Sequence, residues 1–276
     1  MTRPAPRIRR TVRLAAAAAA LTALGACSSP AGSSDSPGPP AAGGAASASP
    51  KLSGTVTVFA AASLKESFTT LGERFEKQHP GTEVTFSFGG SDTLAASIAG
   101  GAPADVFAAA SPATMAAVTD GKAAARTPVT FARNQLVIAT APGDPHHVSS
   151  LKDLAGPGLK VVLCAEEVPC GAAARKVLDA SGLELTPVSY EENVKSAVTK
   201  VVLKEADAAL VYRTDVQAAA GKVEGVEFPE SAAAINDYRI VPLKNARNAE
   251  AAEAFVALVR SAEGRKVLTG AGFLKP

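Results

Sequence analysis

The feature that most constrains this 276-residue chain is the stretch at 55–68, TVTVFAAASLKESF. Residues 55–59 alternate and are rich in β-branched side chains, so they predict a strand. Ala60, Ala61 and Ala62 follow with minimal side chains. Ser63 and Glu66 then have the S-x-x-E spacing of a capping box, and Leu64, Phe68 and Leu71 supply an apolar helical face. A strand that turns through small residues into a helix leaves backbone N–H groups free at its carboxyl end. The helix dipole adds positive potential there. Such a turn can hold an anion without a basic side chain; alternatively, Ser63 simply caps the helix.

The same pattern returns along the chain. A strand at 83–88 runs into Gly89, Gly90, Ser91 and Asp92 and then a helix at 93–98. A strand at 159–164 leads through 165–169 to a helix opening at Cys170, and a strand at 187–190 leads to a helix at 195–204. Between them lie a short buried strand at 105–107, a near-continuously apolar strand at 134–140, and a buried strand at 206–212 that ends in Tyr212. Further strands are expected at 226–229 and 238–243. A C-terminal helical stretch follows at 249–269, broken near Gly264. Alternating strands and helices predict an α/β fold with mixed, mostly parallel sheets flanked by helices. About 225 ordered residues is large for one sheet, so two lobes are expected. The first spans 51–132 plus 237–276 and the second 133–236, with a hinge of two crossings near Arg133 and Asp237. Ligands of open α/β sheets gather at strand carboxyl ends, so all four helix starts could face one interlobe cleft.

The N-terminus reads as an export signal. Arg3, Arg7, Arg9, Arg10 and Arg13 precede an Ala-rich apolar run too short for a permanent membrane span. Leu24-Gly25-Ala26-Cys27 resembles the lipobox of bacterial lipoproteins, which implies a signal peptide at 1–26 and a lipid on Cys27. Residues 27–50, mostly Ser, Pro, Gly and Ala, make a disordered tether. Removing the signal leaves 23 basic and 26 acidic residues, a formal charge of −3. A weakly acidic chain without a basic run is a poor nucleic-acid binder. Cys164 and Cys170 flank five residues, and in an oxidising compartment they form either a small disulfide loop or two free thiols. His79, His146 and His147 show no metal-ligand spacing with them.

Several of these segments together are similar to the molybdate-binding proteins of ABC transporters. They are 58–64 (VFAAASL), the Gly-Ser turn before Thr93, 101–107 (GAPADVF), 168–171 (VPCG), 192–194 (ENV), 210–212 (LVY) and 270–273 (GAGF). The resemblance covers 54–276. It implies a two-lobed periplasmic-binding-protein fold of the second type and a bound tetrahedral oxyanion, molybdate or tungstate. Carried over by motif, the oxyanion ligands are the hydroxyls of Ser63, Ser91 and Tyr212 and the backbone amides of Cys170 and Val194. It further implies an ABC permease as partner, a monomer anchored by lipid at the extracytoplasmic face of the membrane, no cofactor and no direct metal-ion ligand. A fully ionised oxyanion offers only acceptors, and this is a set of donors. Asp92, beside Ser91, would repel a dianion if it faced the site, but could accept the proton of hydrogen phosphate. A sulfate- or phosphate-binding protein on the same fold is the alternative. A secreted Ser hydrolase using Ser63, or a thiol redox protein using Cys164 and Cys170, is disfavoured. No His has a triad partner, and the Cys spacing is not C-x-x-C.

Overall fold

The computed structural model describes residues 52–276; the expected signal peptide at 1–26, Cys27 and the expected tether at 27–50 lie outside the described residues. Two five-stranded sheets organise the chain. The first contains β1 (Gly54–Ala61), β2 (Thr82–Gly89), β3 (Val106–Ala109), β4 (Val129–Asn134) and β10 (Asn236–Pro242), in the order β2-β1-β3-β10-β4. The second contains β5 (Leu136–Thr140), β6 (Val161–Cys164), β7 (Ser189–Glu191), β8 (Ala208–Tyr212) and β9 (Glu224–Val226), in the order β7-β6-β8-β5-β9. Pairing β1 with β2 and β3 is parallel, and β10 is antiparallel to both its neighbours. The second sheet repeats this plan, with β6 parallel to β7 and β8 and with β5 as the reversed strand. Four strands of each sheet therefore point one way. Their carboxyl ends supply the loops that build the site.

The helices cover both faces of each sheet. α1 (Lys65–Gln78) buries Phe68, Leu71 and Phe75 completely. Phe68 and Phe75 pack with Phe255 of α7 (Ala249–Arg260) in edge-on aromatic contacts. On the opposite face, α2 (Ser91–Ala99) and α3 (Pro112–Asp120) bury Leu94, Ile98, Met115 and Val118 against Phe107 and Val241. In the second sheet, α4 (Pro169–Ser181) and α5 (Val194–Val202) bury Val177, Ala197 and Val201, while α6 (Arg213–Ala218) follows β8 directly.

Three local expectations change. The apolar strand at 134–140 is two strands: Asn134 ends β4 in one sheet and Leu136 begins β5 in the other, with Gln135 between them. The segment at 129–134 escaped a strand reading because Thr130 and Arg133 interrupt its apolar run. The C-terminal helix breaks at Ser261, whose hydroxyl caps α8 (Ala262–Gly270) by accepting from Gly264 N–H. Gly264 lies inside α8, where a Cβ would stand 2.2 Å from the Val259 carbonyl oxygen, so its role is close packing and not a break. Finally, Ser63 and Glu66 form no capping box. Ser63 sits in a 3-10 turn (Ala62–Leu64), Leu64 takes the N-cap position without a side-chain bond, and Glu66 is engaged elsewhere.

The chain passes between the sheets at Asn134–Leu136 and again before Asn236. Beside these crossings Arg133 Nε lies 2.7 Å from Asp237 Oδ1, and Arg133 and Leu274 exchange two backbone hydrogen bonds.

Candidate functional site

The carboxyl ends of β1, β2, β3 and β8, with the starts of α4 and α5, enclose a small cavity between the two sheets. Its volume is about 10 Å³, on the scale that admits the centre of one compact guest. The first sheet contributes Ala61, Ala62 and Ser63, then Gly89, Gly90 and Ser91, then Ala110. The second contributes Val168, Pro169 and Cys170, then Asn193 and Val194, then Tyr212. All five residues that the sequence motifs single out thus share one wall-to-wall space. No Asp, Glu, Lys, Arg or His lines it among the described residues.

Each hydroxyl is held from behind. Ser91 is buried, and its Oγ accepts from Ala110 N–H at 3.1 Å, leaving its own proton free. Tyr212 is buried, and its hydroxyl oxygen accepts from Asn236 Nδ2 at 2.7 Å. Ser63 Oγ lies 2.8 Å from the hydroxyl of Tyr238, which does not line the cavity. Burial raises both tyrosines well above the ordinary phenol range, so they remain protonated donors at neutral pH.

The backbone adds donors of the same sign. Cys170 and Val194 occupy the first turns of α4 and α5, where N–H groups have no intrahelical acceptor. Pro169 occupies the first helical position of α4, where its missing N–H costs nothing. The Asn193 side chain caps α5 through Ser196 N–H at 3.0 Å. With α2 starting at Ser91, three helix N-termini, each equivalent to roughly half a positive charge, converge on the cavity. A disulfide joins Cys164, at the end of β6, to Cys170, and ties the start of α4 to its own strand. Gly171 is required beside it, since a Cβ there would lie 1.9 Å from the Ala165 carbonyl oxygen.

Asp92 does not line the cavity. Its Oδ1 is buried without a hydrogen-bond partner beside Gly90, and its Oδ2 accepts from Thr93 Oγ1 at 3.2 Å.

Three sets of contacts join the two sheets near this space. A Cβ on Gly90 would meet the Glu192 carbonyl oxygen of the other sheet's loop at 2.7 Å. Asn236 Nδ2 reaches Ala110 O at 2.9 Å on one side and Pro169 O at 3.2 Å on the other. Lys195 Nζ, on α5, lies 2.9 Å from both carboxylate oxygens of Glu66 on α1 and 3.3 Å from Asp215 Oδ1 on α6. Asp215 is fully buried. Burial pushes its carboxyl up to about 6, against the pull of Lys195. Sequence reasoning missed Asn134, Asn236, Tyr238 and this ion-pair group. Their one trace in the sequence is the two Asn residues at the chain crossings, and an isolated Asn is a weak signal.

Comparison with known proteins agrees with this architecture. The family model described as bacterial extracellular solute-binding protein matches residues 56–274. The molybdate-binding protein ModA of Mycobacterium tuberculosis is 46% identical over 222 residues, 80% of this chain and 85% of that protein. ModA of Escherichia coli is 30% identical over 230 residues, covering 80% and 89% of the two chains. Among solved structures, the periplasmic molybdate-binding protein of Azotobacter vinelandii superposes with a TM-score of 0.70 at 24% identity, covering 80% of this chain and 99% of that one. Two like-patterned mixed sheets, a donor-lined cavity between them and these matches establish that the chain belongs to the ModA family of bacterial extracellular solute-binding proteins.

Proposed function

We propose that this protein captures molybdate or tungstate in the cavity between its lobes and delivers it to an ABC permease. The ligands are the hydroxyls of Ser63, Ser91 and Tyr212 and the N–H groups of Cys170 and Val194. The observation that carries this reading is the composition of the cavity wall: three buried hydroxyls and three helix starts, with no charged side chain. Fixed, desolvated dipoles suffice for a doubly negative ion, and a wall that offers donors and no carboxylate suits an ion without protons. The ModA relatives support the choice of oxyanion. In this reading residues 51–132 plus 237–276 form one lobe and 133–236 the other, and closure about the two crossings buries the ion. Residues 1–26 direct export, Cys27 carries a lipid, and 27–50 hold a monomeric binding domain clear of the membrane's outer face. Calorimetry with molybdate, tungstate, sulfate and phosphate tests the assignment. Molybdate or tungstate should bind one per chain and far more tightly than the others. Sulfate binding equal to molybdate, or preferred binding of phosphate, would overturn it. An unmodified Cys27 in mass spectra of the native N-terminus would remove the anchor.

A further inference from the structure

We propose that Tyr238, held by Asn134, and Asn236 are positioning residues that aim the hydroxyl protons of Ser63 and Tyr212 into the cavity. This rests on the reading of the cavity as an oxyanion site. A hydroxyl can turn either its proton or a lone pair toward a guest, and only the proton is useful to a dianion. What stands behind the hydroxyl decides which.

Behind Ser63 the order of donors can be traced atom by atom. Asn134 is fully buried, and its Oδ1 accepts from Gln135 N–H at 3.0 Å. A backbone N–H only donates, so the amide's NH2 faces the other way, toward Thr214 Oγ1 at 2.9 Å and the Tyr238 hydroxyl at 3.3 Å. An amide nitrogen does not accept, so the Tyr238 oxygen accepts there. Its own proton is then left for Ser63 Oγ at 2.8 Å. Ser63, having received a proton from behind, presents its own to the cavity. Tyr238 is completely buried, with its ring edge-on to Phe131, Tyr212 and Phe273. It sits where the β10–β4 pairing slips register between Tyr238 and Arg239, and such irregularities re-aim side chains.

Behind Tyr212 the same logic holds. Asn236 Nδ2 contacts the carbonyl oxygens of Ala110 and Pro169, which only accept, so this atom is the amide nitrogen. Its 2.7 Å contact with the Tyr212 hydroxyl therefore makes Tyr212 the acceptor and frees the phenolic proton for the guest. Asn134, Asn236 and Tyr238 all lie on β4 and β10 at the chain crossings, so the strands that join the sheets also set the polarity of the site.

Two double-mutant cycles on the full chain, read by calorimetry with molybdate and checked by thermal melts without it, test this. Y238F should weaken binding about fivefold in the wild-type background and less than twofold in S63A. N236A should show a similar loss that shrinks in Y212F. Additive losses in a cycle overturn the role of the residue tested while leaving the oxyanion site standing. If S63A and Y212F leave affinity unchanged, both this proposal and the site reading fall. Should Y238F not melt cooperatively, the N236A–Y212F cycle decides alone.

Discussion

Lys195 Nζ on α5 stands 2.9 Å from both carboxylate oxygens of Glu66 on α1, an ion pair that joins helices flanking the two different sheets. Its partners are partly exposed, with side-chain accessibilities of 26% and 48%, so its net worth is about 0.2–1 kcal/mol. Glu66→Gln should weaken molybdate binding by a factor of about two to five at low salt, and the difference from wild type should fade above about 0.5 M salt as screening takes over. Calorimetry across a salt series reads both.

Gly90 has no room for a side chain once the loops meet. A Cβ there would stand 2.7 Å from Glu192 O across the cleft and 2.6 Å from Asp92 Oδ1. Its φ is not left-handed, so alanine is tolerated by the backbone itself. Gly90→Ala should therefore hold the lobes apart. The expected result is a loss of molybdate affinity of about tenfold or more, with the ligand-free melting temperature nearly unchanged and a larger radius of gyration in saturating ligand by small-angle scattering.

Asp215 makes stability depend on pH. Its folded carboxyl titrates at about 6, above its ordinary value of 3.8, because burial disfavours the charge more than Lys195 favours it. The folded state thus holds this proton more tightly than the unfolded chain. The resulting stability is fully present below pH about 4 and is lost as pH rises through about 6. Asp215→Asn removes the dependence. Denaturant melts should find it more stable than wild type by about 2–3 kcal/mol at pH 8, with the gain vanishing near pH 4.

The Cys164–Cys170 bridge closes a short loop beneath the start of α4, with a sequence separation of 6. Loop-closure entropy for a ring of this size gives about 2 kcal/mol of stability. Replacing both residues by Ser should lower stability by about that amount. It should also weaken molybdate binding, since the N–H of Cys170 would lose its fixed aim. Unfolding curves and calorimetry on the double variant check the two effects separately.

The parts of the site that could be read in the sequence are those made by backbone at strand-to-helix turns. The spacing at 55–68 and its echoes at Ser91, Cys170 and Val194 are local, because a strand, a small turn and a helix start sit within a dozen residues. The same locality misled at Ser63, where the S-x-x-E spacing suggested a cap. Tertiary structure instead pairs its hydroxyl with that of Tyr238, 175 residues away. Asn134, Asn236 and Tyr238 have no local signature, since their value arises only when two crossing strands come together behind the cavity. Asp215 reads in the sequence as an acidic residue in the first turn of a helix, and nothing nearby in the chain announces that it is fully buried. The split of 134–140 between two sheets was hidden for a similar reason. Thr130 and Arg133 break the apolar run of β4, and a single residue, Gln135, separates its last residue, Asn134, from the apolar β5.

Anomalous diffraction at the molybdenum edge, from crystals of the protein grown with molybdate, tests the central claim most directly. The account predicts one strong peak per chain, inside the space bounded by Ser63, Ser91, Cys170, Val194 and Tyr212, with oxygen atoms at hydrogen-bonding distance from those donors. A peak elsewhere on the chain, or an empty cavity at saturating molybdate, would contradict it.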